Sequence, residues 1–183
     1  SASLDAFPVS LSPMQEYSSD KPENIFLSHS PRAYAFMSDE ELRFEYPFGM
    51  LCFRVELEET VTVNKVVVRA QQSVAGSGKV TPRGLKMDAG ALESATLDCR
   101  NTLSRDSQGN FANFYMVIVP GIYHGMVVEF YVDGDETPLY CTVSEIDVPR
   151  VSAGTFKLLS IVVNTTGPDG FVSENVEFDK EEE

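Results

Sequence analysis

The feature that most constrains this chain is a period of two. In GMLCFRVELEE, Leu51, Phe53, Val55 and Leu57 fall on one side of an extended backbone, with Cys52, Arg54, Glu56 and Glu58 on the other. Strands place alternate residues on opposite faces, so this pattern predicts a strand with one buried face. The pattern recurs: MVVEFYV turns Met126, Val128, Phe130 and Val132 inward, and LYCTVSEI sets Leu139, Cys141 and Val143 against Tyr140, Thr142 and Ser144. VNKVVVRAQ is a β-branched run, and TFKLLSIVVN is a nearly continuous apolar strand. Both are too rich in stiff, branched side chains to favour a helix.

Turn chemistry separates these runs. FYMVIVPGIYHGMVVEFYV reads as an apolar hairpin about Pro120-Gly121, and Asp133-Gly134 is a second hairpin signal. AGSGKVTPRG and SRDSQGN are polar loops. The longest helix candidate is SDEELRFEY, where Ser38 and Glu41 match a capping box. Its LRFEY portion alternates equally well and Pro47 follows, so a turn leading into a strand is expected. Many short strands without helical interludes predict an all-β domain, a β-sandwich. A single domain is expected over residues 1–170, with 1–40 as a loosely structured lead-in and 171–183 as a final strand and acidic tail. In that last part Phe171, Val172, Val176 and Phe178 alternate with polar groups, and six acidic residues face one lysine from Glu174 to Glu183.

Charge and cysteine usage narrow the function classes. With 14 Lys and Arg against 28 Asp and Glu in 183 residues, the net charge is -14. Such a surface repels nucleic acid and anionic lipid, and neither is an expected partner. Cys52, Cys99 and Cys141 are widely spaced and odd in number, which suits small buried hydrophobes, although one disulfide stays open for an exported chain. No run approaches the ~20 apolar residues of a membrane-spanning helix. The chain opens on SASLDAFPVS with no leader pattern, so any leader is expected to lie upstream.

The catalytic inventory is thin. His29 and His124 stand far apart without a motif, and His124 reads as a solvated turn residue rather than a base or metal ligand. Nucleophile-elbow, zinc-protease, phosphate-loop and dinucleotide signatures are all missing. Asp133 to Glu136 carries too few spaced carboxylates for a calcium loop and reads as a charged tip. Neither catalytic, cofactor-binding nor metal-binding residues are expected, and no enzyme. With no Trp, and with most of its 12 Phe and 7 Tyr at inward positions, the chain offers few aromatic platforms for sugars. Tyr17, Tyr34, Tyr46 and Tyr123 are the candidates for one.

FYMVIVPGIYHGMVVEFYVDGDETPLY followed by VSAGTFKLLSIVVN resembles the fimbrillin-like proteins of Bacteroidales. LRFEYPFGMLCFRVELEETVTVNKVVVRA looks like that family's strand, turn, amphipathic strand and Val-rich strand block, and LDAFPVSLSP like the aromatic-Pro segment before it. Together these cover roughly residues 5–164. The resemblance implies a Greek-key, transthyretin-like sandwich exported to the cell surface or outer membrane, commonly as a lipoprotein. It implies a pilus (fimbrium) or adhesion role, with other protein subunits or a host surface ligand as partners through strand donation. Met126 to Val132 and Thr155 to Val163 are then the expected groove strands. A carbohydrate-binding surface protein on the same scaffold is the alternative, and a glycan its partner. Two departures from the family are the lack of a lipidation cysteine near the start and the lack of room for a second sandwich domain.

Overall fold

The computed structural model describes residues 6–30, 34–38, 41–152, 157–164 and 175–179. In chain order the first elements are β1 (Phe7–Leu11), β2 (Met14–Glu16), α1 (Pro22–His29), β3 (Tyr34–Ser38) and β4 (Glu41–Glu56). Then come β5 (Thr62–Arg69), β6 (Gly76–Thr81), β7 (Gly84–Met87), β8 (Ser94–Leu103) and β9 (Phe114–Ile118). The last are β10 (Gly121–Val132), β11 (Leu139–Val148), β12 (Arg150–Ser152), β13 (Lys157–Asn164) and β14 (Asn175–Asp179).

These strands make an all-β sandwich. Strand β4 is the trunk of a six-stranded sheet. Its first half pairs with β3, from Ser38↔Glu41 to Tyr34↔Glu45. Its second half is flanked on both edges, so Leu51 lies between Met116 and Leu159, and Phe53 between Phe114 and Ile161. Residues in register share a face; five of these six are buried, and Leu159 is half-buried against the same core. The facing layer is a five-stranded sheet in the order β11-β10-β5-β8-β2. It turns Val66, Val68, Leu97, Val128 and Phe130 inward. Phe53 meets Phe130 edge-on at 6.2 Å and 82°, which locks the two layers together. Such a ring pair contributes ~0.5–1.5 kcal/mol beyond simple burial. Strands β1, β6 and β7 form a third, small sheet whose Val9, Leu11 and Val80 join the same core.

The predicted faces are where the alternation put them: Leu51, Phe53 and Val55 are buried, and Cys141 and Val143 are buried opposite exposed Tyr140, Thr142 and Ser144. Cys52 is buried as well, because the second face of the six-stranded sheet is also covered. Helix α1 packs on β9 there, burying Ile25 and Phe26, and Phe26 meets Tyr46 edge-on at 5.3 Å.

Three expectations are corrected. Pro120-Gly121 does not turn a hairpin: β9 pairs with β4 in one sheet, and β10 pairs with β5 and β11 in the other. The chain therefore changes layers at this point, and both runs are apolar because each enters a sandwich layer. A second crossing follows at Pro149, where β11 ends and Arg150 pairs with Gly49 of β4. A Cβ on Gly49 would run into the Pro149 carbonyl oxygen and lie 3.0 Å from Val148 Cγ1, so only glycine fits beneath that corner. Residues 1–40, read as a loose lead-in, hold β1, β2, α1 and β3. The expectation of no helical interlude fails at α1, which begins with Pro22 in its first turn and carries Glu23 near its positive end. Of SDEELRFEY, Ser38 ends β3 and Glu41 to Tyr46 open β4, as expected of a strand rather than a helix. Thr155, Phe171 and Val172 lie outside the described residues, as do the side chains of Val176 and Phe178.

Candidate functional site

Strand edges are where a sandwich meets other chains, because each edge presents unpaired N–H and C=O groups. Among the described residues β9 pairs with β4 alone, yet its other edge is bridged at Val117. The Gln15 side chain reaches across from β2: its Nε2 donates to the Val117 carbonyl at 2.8 Å, and the Val117 N–H donates to its Oε1 at 2.9 Å. One side-chain amide thus stands in for a strand, and at 2% exposure it is out of water. Gln72 does the same where β5 has ended beside β10. Its Nε2 donates to the Ile122 carbonyl at 2.5 Å, and the His124 N–H donates to its Oε1 at 3.1 Å.

Strand β11 is treated differently. It pairs with β10 from Gly121↔Val148 to Phe130↔Leu139, and among the described residues with no other strand. At ten residues it is the longest strand paired on one edge only among those described. Its partner β10 is held on both sides over Val127 to Phe130, and β13 lies between β4 and β14 over Leu159 to Ile161. Both strands expected to line a groove are therefore interior, and the edge belongs to β11.

The loop joining β10 to β11 is anchored rather than free. Asp133 and Gly134 both have positive φ, 53° and 71°, and the Asp135 N–H donates to the Val132 carbonyl at 3.0 Å. Two left-handed residues in succession make a type I′ turn, which Asp-Gly favours. The turn is tied to β5, since the Thr62 N–H donates to Asp133 Oδ1 at 2.8 Å.

The outward face of this sheet carries polar ladders. Arg69 Nε lies 2.8 Å from Glu129 Oε1, and Lys65 Nζ sits 4.5 Å from the Tyr131 ring centre. The Glu129 carboxylate, with a smaller contribution from Tyr131, raises the pKa of the Arg69 guanidinium. Tyr140, opposite Glu129 in register, is 45% exposed.

The residues singled out from sequence do not come together. Tyr123 is buried, its hydroxyl donating to the Val119 carbonyl. Tyr17 leans on Phe114 at 5.2 Å and Tyr46 on Phe26, while the Tyr34 side chain lies outside the described residues. His124 is exposed, with Nδ1 3.6 Å from Glu145 Oε2. Partial burial lowers the pKa of His29. All three cysteines are free and buried, and burial pushes the Cys52 and Cys141 thiols up to about 11. Among the described residues, no three His, Cys, Asp or Glu side chains are grouped to hold a metal, and no helix is long and apolar enough to cross a membrane. Sequence reasoning missed Gln15, Gln72 and Tyr131; only Tyr131 left a signal, as an outward residue of a clearly alternating strand.

No protein-family profile matches the chain, and neither does any curated protein. Among solved structures, one from Bacteroides uniformis ATCC 8492, described as a "putative cell adhesion protein", superposes with a TM-score of 0.50 at 11% identity. The match covers 96% of this chain and 66% of that one, so this chain spans just under two thirds of its length. At that identity the likeness is one of fold.

Proposed function

We propose that this protein is a non-enzymatic adhesion module of the cell surface, acting through protein–protein contacts made by the open edge of β11. The ten-residue one-sided edge carries this reading, because the edges of β9 and β10 are bridged by glutamines while β11 meets no second strand among the described residues. A structural neighbour described as a "putative cell adhesion protein" supports the adhesion role. In its finer form the protein is a fimbrillin-like pilus subunit at the outer membrane. A neighbouring subunit or a surface ligand supplies an extended segment that adds to β11, main-chain hydrogen bonds giving affinity and side-chain positions giving register.

The test is mass by light scattering, before and after limited cleavage by an Arg-specific protease; exposed Arg83, between β6 and β7, is one accessible site. Growth into discrete multimers is expected, and Thr142→Lys with Ser144→Lys should abolish it by placing charge along the edge. A monomer unchanged by cleavage contradicts the subunit reading.

A further inference from the structure

Charge is unevenly divided along the length of the sandwich. Strands β4, β8 and β10 all run to one end, where the loops at 57–61, 104–113 and 133–138 carry them into β5, β9 and β11. Those loops hold Glu58, Glu59, Asp106, Asp133, Asp135 and Glu136, all exposed, against one cation, Arg105. Arg105 is turned inward: its guanidinium lies 4.7 Å from the Phe111 ring centre and donates to the Leu57 carbonyl. The Asp133 turn is fixed to β5 through Thr62, so the acidic tip is held in place.

The other end carries a cationic hairpin. From Arg69 to Met87 the chain has four cations and no Asp or Glu. Hairpin β6–β7 leaves the five-stranded sheet between Arg69 and Ser94, which pair with each other at that end. Its Lys79 and Lys86 are direct cross-strand partners, both exposed, and Arg83 stands exposed on the turn. Such partners hold their Cβ atoms about 4.5–5.5 Å apart, and like charges so placed repel. Among the described residues, no carboxylate lies within ion-pair distance of Lys79, Arg83 or Lys86. Asp88 and Glu93 follow on the segment leading to β8, and Glu145 and Asp147 lie on β11, which β10 separates from β5. The hairpin backbone is braced: β1 pairs with β6 from Phe7↔Val80 to Leu11↔Gly76, and the Arg83 N–H donates to Thr81 Oγ1 at 3.2 Å.

We propose that copies of this protein associate head to tail, the basic hairpin of one seated against the acidic loops of the next. Complementarity names the occupant: two opposed lysines without a counter-ion meet six exposed carboxylates served by one inward guanidinium. Both surfaces are held by their own backbone contacts, so little freedom is lost when they meet. The contact is heterologous: a pair keeps a free hairpin at one end and free acidic loops at the other, so it extends as an open chain. Surface ion pairs are individually weak, which makes the assembly reversible and concentration-dependent. The net charge of -14 opposes it at long range. At an ionic strength of about 0.15 M the Debye length is ~8 Å, which screens distant repulsion while groups in contact still attract. Side-chain charge carries this association rather than main-chain pairing, so it does not rest on the β11 edge.

Analytical ultracentrifugation of the intact, uncleaved protein over a concentration series tests it. Weight-average mass should rise with concentration at about 0.15 M ionic strength and return to the monomer at about 1 M, where the Debye length is ~3 Å. Lys79→Glu with Lys86→Glu, and Glu59→Lys with Glu136→Lys, should each stay monomeric throughout the series. All four positions are exposed and the first variant keeps a like-charged pair, so thermal unfolding should show both folded. Mixed in equal amounts, the two variants should form pairs and nothing larger, since each supplies one intact end. Thr142→Lys with Ser144→Lys should leave the association unchanged. Native protein that stays monomeric at the lower ionic strength, growth that persists at the higher, growth in either charge-reversed variant, or a mixture that stays monomeric would each overturn the proposal. Growth stopped only by the β11 variant would assign it to that edge, overturning this proposal and leaving the edge reading intact.

Discussion

The outer edge of β9 ends on a side chain, whereas the outer edge of β11 meets no strand among the described residues. Both strands border the same core, and both carry apolar residues toward it. They differ in what lies beyond. Strand β9 sits under β2 and α1, where water cannot reach, so Val117 must have its N–H and C=O satisfied from within. Strand β11 borders solvent, its outward positions being Tyr140, Thr142 and Ser144. Side-chain closure stands where burial demands it, and β11 meets no second strand among the described residues. An edge like that is a liability unless it has a use.

The largest effect should come from opening the closed edge. Gln15→Leu leaves the Val117 N–H and C=O buried without partners, so a loss of about 2–5 kcal/mol in chemical denaturation is expected. A loss below ~1 kcal/mol would mean that water reaches β9 and that the edge is not closed by this residue. Gln72 makes the same kind of bridge in an exposed setting, so Gln72→Ala should cost no more than about 1 kcal/mol. Equal penalties at the two sites would remove burial as the reason for the difference.

Native-state alkylation sharpens the comparison at smaller scale. Cys52 sits in the trunk strand beside β9, and Cys141 on β11. Burial raises both thiols to about 11, so neither reacts readily while it stays buried and local opening governs both. Cys141 should react faster than Cys52 at neutral pH, and a faster Cys52 would place the weak edge on the wrong strand. Both groups also tie stability to pH. A thiol whose folded pKa is raised from 9.0 holds its proton more firmly in the native state. Its contribution is constant below pH 9 and is lost as pH climbs through about 11, so stability should fall across that window. Cys141→Ala should flatten the decline.

Thr142→Lys should be nearly silent in stability, within about 0.5 kcal/mol, because the side chain is solvent-facing and the core is untouched. Its effect belongs to association alone. A large destabilisation would mean that β11 is not an exposed edge.

Much of this arrangement was legible in the residues. The alternation through Leu51, Phe53 and Val55, and through Cys141 and Val143, gave the faces correctly, and Asp133-Gly134 forms the turn that its chemistry favours. Sheet membership was not legible, because Pro-Gly looks the same whether it reverses a hairpin or carries the chain between layers. Helix α1 is eight residues long, too short for its periodicity to stand out. Tyr123 was expected on the surface because the inward set of β10 is Met126, Val128 and Phe130. Between them lies Gly125, with φ at 74°, and beyond it the inward parity switches to bury Tyr123 and, on β11, Ile146 and Val148. A local backbone bend thus reversed the reading of one tyrosine. Gln15 could not have been found at all: its partner Val117 is 102 residues away, and nothing in a lone glutamine announces a surrogate strand.

Residue-resolved amide hydrogen exchange tests the contrast most directly. The Val117 amide should exchange only through global unfolding, while on β11 alternate amides, those pointing away from β10, should exchange with little protection. Strong protection of every β11 amide from Leu139 to Val148 in the isolated protein would show that the edge is already covered, and would contradict the account.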